Sequence, residues 1–230
     1  MKNSRIRGIE SILLGASLSA VPISNADAAE YNLSIPNGSV AIPDGNLNGI
    51  VFSFNVSEAP ANSQITSLNS VGLDILGGYN GDLRAYLRHE TAGGIVGFAS
   101  LFNQPGKDNS LSLGYSNPGM NVLLMNSGNN IHNYQNPIFN AVYNGNGQLT
   151  GNWASEQNFD SFAGLDPNGR WDFWFGDLTG GDVSTVQSLS FNLDYSVVPE
   201  PVNTALGILG GIAAIAAAGK AYRNRNKSRK

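Results

Sequence analysis

Ser188-Leu189-Ser190-Phe191-Asn192-Leu193-Asp194-Tyr195 is the stretch whose reading decides the fold. Leu189, Phe191, Leu193 and Tyr195 alternate with Ser190, Asn192 and Asp194. A period of two turns one row of side chains into a core and the other toward water, which is the pattern of a half-buried strand. The same period recurs upstream. Ile50, Phe52, Phe54 and Val56 share a face, as do Val71, Leu73 and Ile75. Leu83, Ala85 and Leu87 point in while Arg84, Tyr86 and Arg88 point out. Trp171, Phe173 and Phe175 form a further inward row, leaving Trp174 on the opposite side. Turn-forming runs separate these segments: Gly77-Gly78-Tyr79-Asn80-Gly81, Asn144-Gly145-Asn146-Gly147 and Asp166-Pro167-Asn168-Gly169. Between residues 30 and 197 no helical periodicity of ordinary length occurs. Short strands joined by Gly- and Asn-rich turns predict an all-β domain, a two-sheet sandwich or jelly roll. Residues 126–158 are rich in Asn and poor in pattern, and read as long surface loops.

Composition narrows the chemistry. The 230 residues include 29 Asn and 28 Gly but no Cys, so neither disulfides nor thiolate ligands are available. His89 and His132 are the only histidines, and both are expected at the solvated surface. Residues 29–198 carry four basic side chains, Arg84, Arg88, Lys107 and Arg170, against fourteen acidic ones, a formal charge of −10. That balance excludes nucleic acid as a partner, because phosphate binding requires Lys and Arg.

The two ends differ from the middle. Residues 1–28 have the layout of a secretory signal peptide: Lys2, Arg5 and Arg7, then a mostly apolar stretch from Ile12 to Ile23, then Ala26-Asp27-Ala28. Small residues at Ala26 and Ala28 place cleavage by signal peptidase after Ala28. At the other end Pro199-Glu200-Pro201 precedes an uncharged run, residues 202–219, and then Lys220, Arg223, Arg225, Lys227, Arg229 and Lys230. As a helix the run would be about 27 Å long, enough for a bilayer core. The basic cluster would stay cytoplasmic. Residues 198–230 resemble the PEP-CTERM sorting signal of bacterial envelope proteins in motif, span and basic tail. The resemblance implies processing by an exosortase near Pro199-Glu200-Pro201 in a Gram-negative bacterium that makes exopolysaccharide. The precursor would be anchored in the inner membrane, and the product would sit at the cell surface or in the extracellular matrix.

A second resemblance covers roughly residues 35–196. Ile42-Pro43-Asp44, Gly81-Asp82-Leu83, Leu101-Phe102-Asn103-Gln104-Pro105-Gly106, Phe162-Ala163-Gly164, Gly169-Arg170-Trp171, Asp177 and Gly181-Asp182 occur in an order similar to that of the P domain (P/Homo B domain). That domain follows the catalytic domain of subtilisin-like proprotein convertases, and the resemblance implies an eight-stranded jelly-roll sandwich. Two departures stand out. Glu90-Thr91-Ala92-Gly93-Gly94 replaces a Ser-Pro-x-Gly-Thr-like turn, and Met125-Asn126-Ser127 lacks the acidic pair that members often carry there.

Few residues suggest chemistry. No Gly-x-Ser-x-Gly elbow lies in residues 29–198, and a peptidase role would attach to this chain only through fold company. Asp172, Asp177 and Asp182 are the carboxylates a glycosidase would draw on. Asp82, Asp177 and Asp182 fall in Gly-rich corners where backbone oxygens are free, so they are candidate calcium ligands; the alternative is that Asp82 and Asp177 cap turns. Trp153, placed in the loop region, and Trp174 are candidates for stacking on a sugar ring, against the alternative that they pack within the fold. The sequence therefore predicts an exported, non-enzymatic envelope or matrix protein, structural or adhesive, with exopolysaccharide or matrix proteins as partners. The rival readings are a carbohydrate-binding module, an accessory P-type domain of a separately encoded peptidase, and an envelope hydrolase.

Overall fold

The computed structural model describes residues 26–108 and 113–198. Strands cover Asp27–Leu33 (β1), Val40–Ala41 (β2), Ile50–Val56 (β3), Ser63–Gly77 (β4), Leu83–Thr91 (β5), Val96–Asn103 (β6), Gly119–Asn130 (β7), Val142–Tyr143 (β8), Leu149–Ala154 (β9), Gly169–Asp177 (β10) and Ser184–Val197 (β11). Among the described residues the only helical elements are short 3-10 turns, and no helix is long and apolar enough to cross a membrane. Most of the signal-peptide segment, the Pro199-Glu200-Pro201 motif, the 202–219 run and the basic tail lie outside the described residues.

Two sheets form. One has the order β1-β11-β4-β7-β9-β8, with β2 also pairing with β11; the other has the order β3-β10-β5-β6. The 188–195 stretch is the spine of the first sheet. β11 pairs with β4 over nearly its whole length, and Leu189, Phe191 and Leu193 are buried. The other period-two rows also turn inward: Val71, Leu73 and Ile75 from β4; Leu83, Ala85 and Leu87 from β5; Trp171, Phe173 and Phe175 from β10. These rows join in one apolar core between the sheets, so the chain is an all-β sandwich.

At the centre of that core the two sheets meet through aromatic rings. Trp171 of β10 stacks on Phe191 of β11 with centroids 4.4 Å apart, and on its own sheet it stacks on His89 at 4.1 Å. Phe162 lies 5.6 Å away in a nearly parallel plane. The indole N–H donates to the Pro167 carbonyl at 3.1 Å, so the ring is buried without an orphaned donor.

His89 corrects an expectation. It is fully buried rather than solvated, because the alternation of β5 continues past Leu87 through His89 to Thr91. Its Nε2 lies 2.7 Å from the Asp166 carbonyl oxygen and its Nδ1 lies 3.2 Å from that of Arg170. A neutral imidazole can donate to only one of the two. Burial nevertheless holds the ring below its ordinary proton affinity, against the pull of both carbonyls. His132 is half-buried, with its Nδ1 enclosed and unpartnered.

The 126–158 region is more ordered than its composition suggests. β7 extends to Asn130, and β9 runs parallel to it. In β9 only Leu149 and Trp153 are buried, four residues apart, so no period-two signal exists in the sequence. The position between them is Gly151, exposed and with φ +98, a backbone conformation that other residues rarely adopt. Tyr134 anchors the intervening connection: it is fully buried, and its hydroxyl donates to Asn117 Oδ1 at 3.0 Å.

The central stack yields a first prediction. Trp171→Ala should reduce the unfolding free energy by about 3–5 kcal/mol, the range for deleting a fully buried large aromatic ring. Urea denaturation followed by circular dichroism measures this; a loss under about 1 kcal/mol would show that the stack does not join the sheets.

Candidate functional site

Two surfaces hold Trp174 and the carboxylates singled out from the sequence, while Trp153 lies on neither. The first is the outer face of the four-stranded sheet. Register places Trp174 beside Tyr86 on one side and Val51 on the other. Trp174 and Tyr86 stack with centroids 5.1 Å apart and planes at 22°, and Tyr86 meets Phe98 at 5.3 Å. Rings nearly parallel at that separation turn their faces toward one another. The Trp174 N–H donates to the Asn48 carbonyl at 2.9 Å, and the tip of the indole fills the space that a side chain at Gly176 would occupy. The face of Trp174 that meets Tyr86 is therefore engaged within the fold. Trp153 is only 4 % exposed, and its N–H donates to Thr150 O at 3.0 Å. It cannot offer a ring to a sugar, which corrects its placement in a loop.

Beside the aromatic row lies a closed charge network. Asp172 pairs with Arg88 at 3.3 Å and with Arg170 at 3.1 Å, and Glu90 pairs with Arg88 at 2.7 Å and with Arg170 at 3.3 Å. Ser53 Oγ donates to Asp172 Oδ1 at 2.6 Å. Two cations thus match two anions, and no charge is left over. Asp172 lies on this outer face, whereas Asp177 lies on the inward-facing parity of the same strand. The two carboxylates do not face each other across a cleft, as a glycosidase pair must.

The second surface is a corner where three connections meet: the segment after β2, the turn before β5, and the loop from β10 to β11. Ile42 N donates to Ser184 O at 2.8 Å, and Leu178 N donates to Asp82 O at 2.9 Å. Gly181 N donates to both carboxylate oxygens of Asp44, at 3.2 and 3.1 Å. The corner thus brings Asp82, Asp177 and Asp182 near one another, together with Asp44, which the sequence reading did not select as a ligand. The signal for Asp44 was its place in an Asp-Gly turn, a feature shared by many turn residues.

The four carboxylates differ in surroundings. Asp44 and Asp182 are exposed, Asp82 is 9 % exposed and Asp177 only 1 %. Both Asp177 oxygens are enclosed and neither has a hydrogen bond of good geometry. The Thr179 amide is close enough to favour the charged form without closing such a bond. Burial first, and then the neighbouring charges of Asp44, Asp82 and Asp182, push the Asp177 carboxyl up to about 6. Burial also raises the Asp82 carboxyl, while Thr179 and Lys107 pull it the other way. Among the described residues no three His, Asp or Glu side chains converge as a ready-made metal-binding set.

No protein family matches the chain, and no curated protein matches it. Among solved structures, a crystal structure of Aeromonas sobria serine protease (ASP) in complex with the chaperone ORF2 aligns with 75% of this chain at 12% identity. The TM-score is 0.39, and the match spans 27% of that chain. A likeness this weak carries no argument about function.

Asp177 gives a pH prediction. Its folded-state proton affinity exceeds the ordinary carboxyl value of 3.8. The stability it contributes is therefore present below about pH 4 and is lost as the pH rises through about 6. In EDTA, Asp177→Asn should raise the melting temperature at pH 7.5, and the gain should vanish at pH 4. Thermal scans at the two pH values test this; an equal change at both would show that the carboxyl is not perturbed by the fold.

Proposed function

We propose that this chain is an exported, non-enzymatic protein of the bacterial envelope or extracellular matrix. Its P-domain-like jelly roll would serve as a structural or adhesive module. The reading is supported above all by the relation of the chain ends. Asp27 pairs with Tyr195 at the start of β1, and Val198 N donates to Asn62 O at 2.9 Å where β11 ends. Both termini of the domain therefore leave from one pole. A leader at one end and a Pro-Glu-Pro, apolar, basic tail at the other would hold that pole toward the membrane and display the opposite pole outward. The tail begins directly after the last strand, so the domain would stand on the membrane without a long linker. Signal peptidase and an exosortase are the processing partners in this reading. Cleavage after Ala28 would leave Ala29 as the first residue of β1.

The P-domain reading draws support from the corner as well. Ile42-Pro43-Asp44, Gly81-Asp82-Leu83, Asp177 and Gly181-Asp182 come from distant parts of the sequence and gather at one place. The scaffold role is favoured over a sugar-binding platform, since Trp153 is buried and Trp174 already stacks on Tyr86. Exopolysaccharide and matrix proteins remain the partner classes, met through the acidic, outward pole and the loops around it.

Mass spectrometry of the C-terminal peptide from surface-extracted protein of the native host tests this directly. A terminus near Pro199-Glu200-Pro201 is expected, with residues 202–230 removed. Recovery of the protein from the cytoplasm with Met1 and Lys230 both retained would overturn the proposal.

A further inference from the structure

Asp177 is the one carboxylate among the described residues that is both fully enclosed and without a hydrogen-bond partner of good geometry. A fold seldom leaves such a group uncompensated, because removing a carboxylate from water is costly unless it is paired, protonated or bound to a cation. Among the described residues no basic side chain forms an ion pair with it. Its charged neighbours Asp44, Asp82 and Asp182 are all acidic and add repulsion. The nearby cation, Lys107, is exposed and acts on Asp82.

The remaining donors of the corner are oxygens. Thr179 lies against Asp82, and Thr179-Gly180-Gly181 is exposed, with φ +136 at Gly181. Gly45 packs close to Gly180, where a side chain would crowd the Gly180 backbone. This draws the Asp44 turn onto the loop from β10 to β11. Oxygen-only surroundings of mixed carboxylate, hydroxyl and backbone character suit a hard divalent cation, which takes six to eight such ligands and accepts irregular geometry. The carboxylates do not converge on their own as a set of three, which leaves part of a coordination shell to Thr179, backbone carbonyls and water.

We propose that this corner is a divalent-cation site of the calcium class, with Asp177 as its buried ligand and Asp82 beside it, the rest of the shell coming from Thr179, backbone carbonyls and water. The cation supplies the charge that the fold itself withholds from Asp177, and it ties together the three connections at this pole. β11 runs from Ser184 beside the corner to Val197 beside the tail, a length of roughly 40 Å. The site thus sits at the end of the domain opposite the chain termini. This inference rests on the corner alone and stands whether or not the tail is processed.

The test is the melting temperature of the full chain in detergent, at pH 7.5, in calcium chloride or in EDTA. Calcium should raise it by about 5 °C or more at saturating concentration. Asp177→Asn should abolish that rise while leaving the EDTA value equal or higher. Asp82→Asn should diminish the rise and serves as the deciding variant if Asp177→Asn does not fold. Asp194→Asn, on β11 away from the corner, should respond like the parent chain. The proposal is overturned if the parent chain melts at the same temperature in calcium and EDTA, or if both corner variants keep the full calcium response.

Discussion

The contact between Trp171 and Phe191 is the constraint on which the rest of this sandwich depends. It is where the four-stranded sheet touches the larger one through its biggest side chain, and it fixes the facing of both β10 and β11. A one-residue slip of either strand would turn its whole buried row to water. With that row fixed, Asp177 must fall on the buried side of β10, while Arg170, Asp172 and Trp174 must fall outside. The placement of the acidic corner and of the outer charge network both follow from this one parity. His89 strengthens the same arrangement by lying flat on Trp171 and spanning two backbone carbonyls.

The strands with one buried face were legible because alternation leaves a local mark. β3, β4, β5, β10 and β11 all carry it, and each faces the way its pattern indicates. His89 was misjudged because its polarity outweighed its position, although it continues the buried row of β5. β9 leaves no such mark for a different reason: the exposed Gly151 interrupts its buried row, so that only Leu149 and Trp153 turn inward. The candidate carboxylates were visible as acids near glycines. Their meeting was not, since three connections separated by tens of residues build that corner, and no local pattern records long-range convergence.

The two polar surfaces of the domain are opposites in electrostatic terms. On the outer face Arg88, Arg170, Glu90 and Asp172 neutralise one another, and such partly exposed pairs contribute little to stability. At the corner the acids have one exposed Lys nearby and one member sealed away from water. A matched network is finished within the chain. An unmatched enclosed charge is not, and that difference directs attention to the corner despite its lesser prominence in the sequence.

The pairing of β1 with β11 also governs the order of events in folding. The first strand of the domain finds its partner only in the last, from Asp27 opposite Tyr195 to Leu33 opposite Leu189. A chain delivered from its N-terminus cannot close the larger sheet until the residues of β11 have emerged. Contacts so distant along the chain form slowly, because the intervening segment must be ordered before they reward it. Until then β1 and one edge of the sheet stay open, and the chain remains extensible. The final strand thus works as a latch, since β11 lies between β1 and β4 and neither can complete its pairing before it arrives.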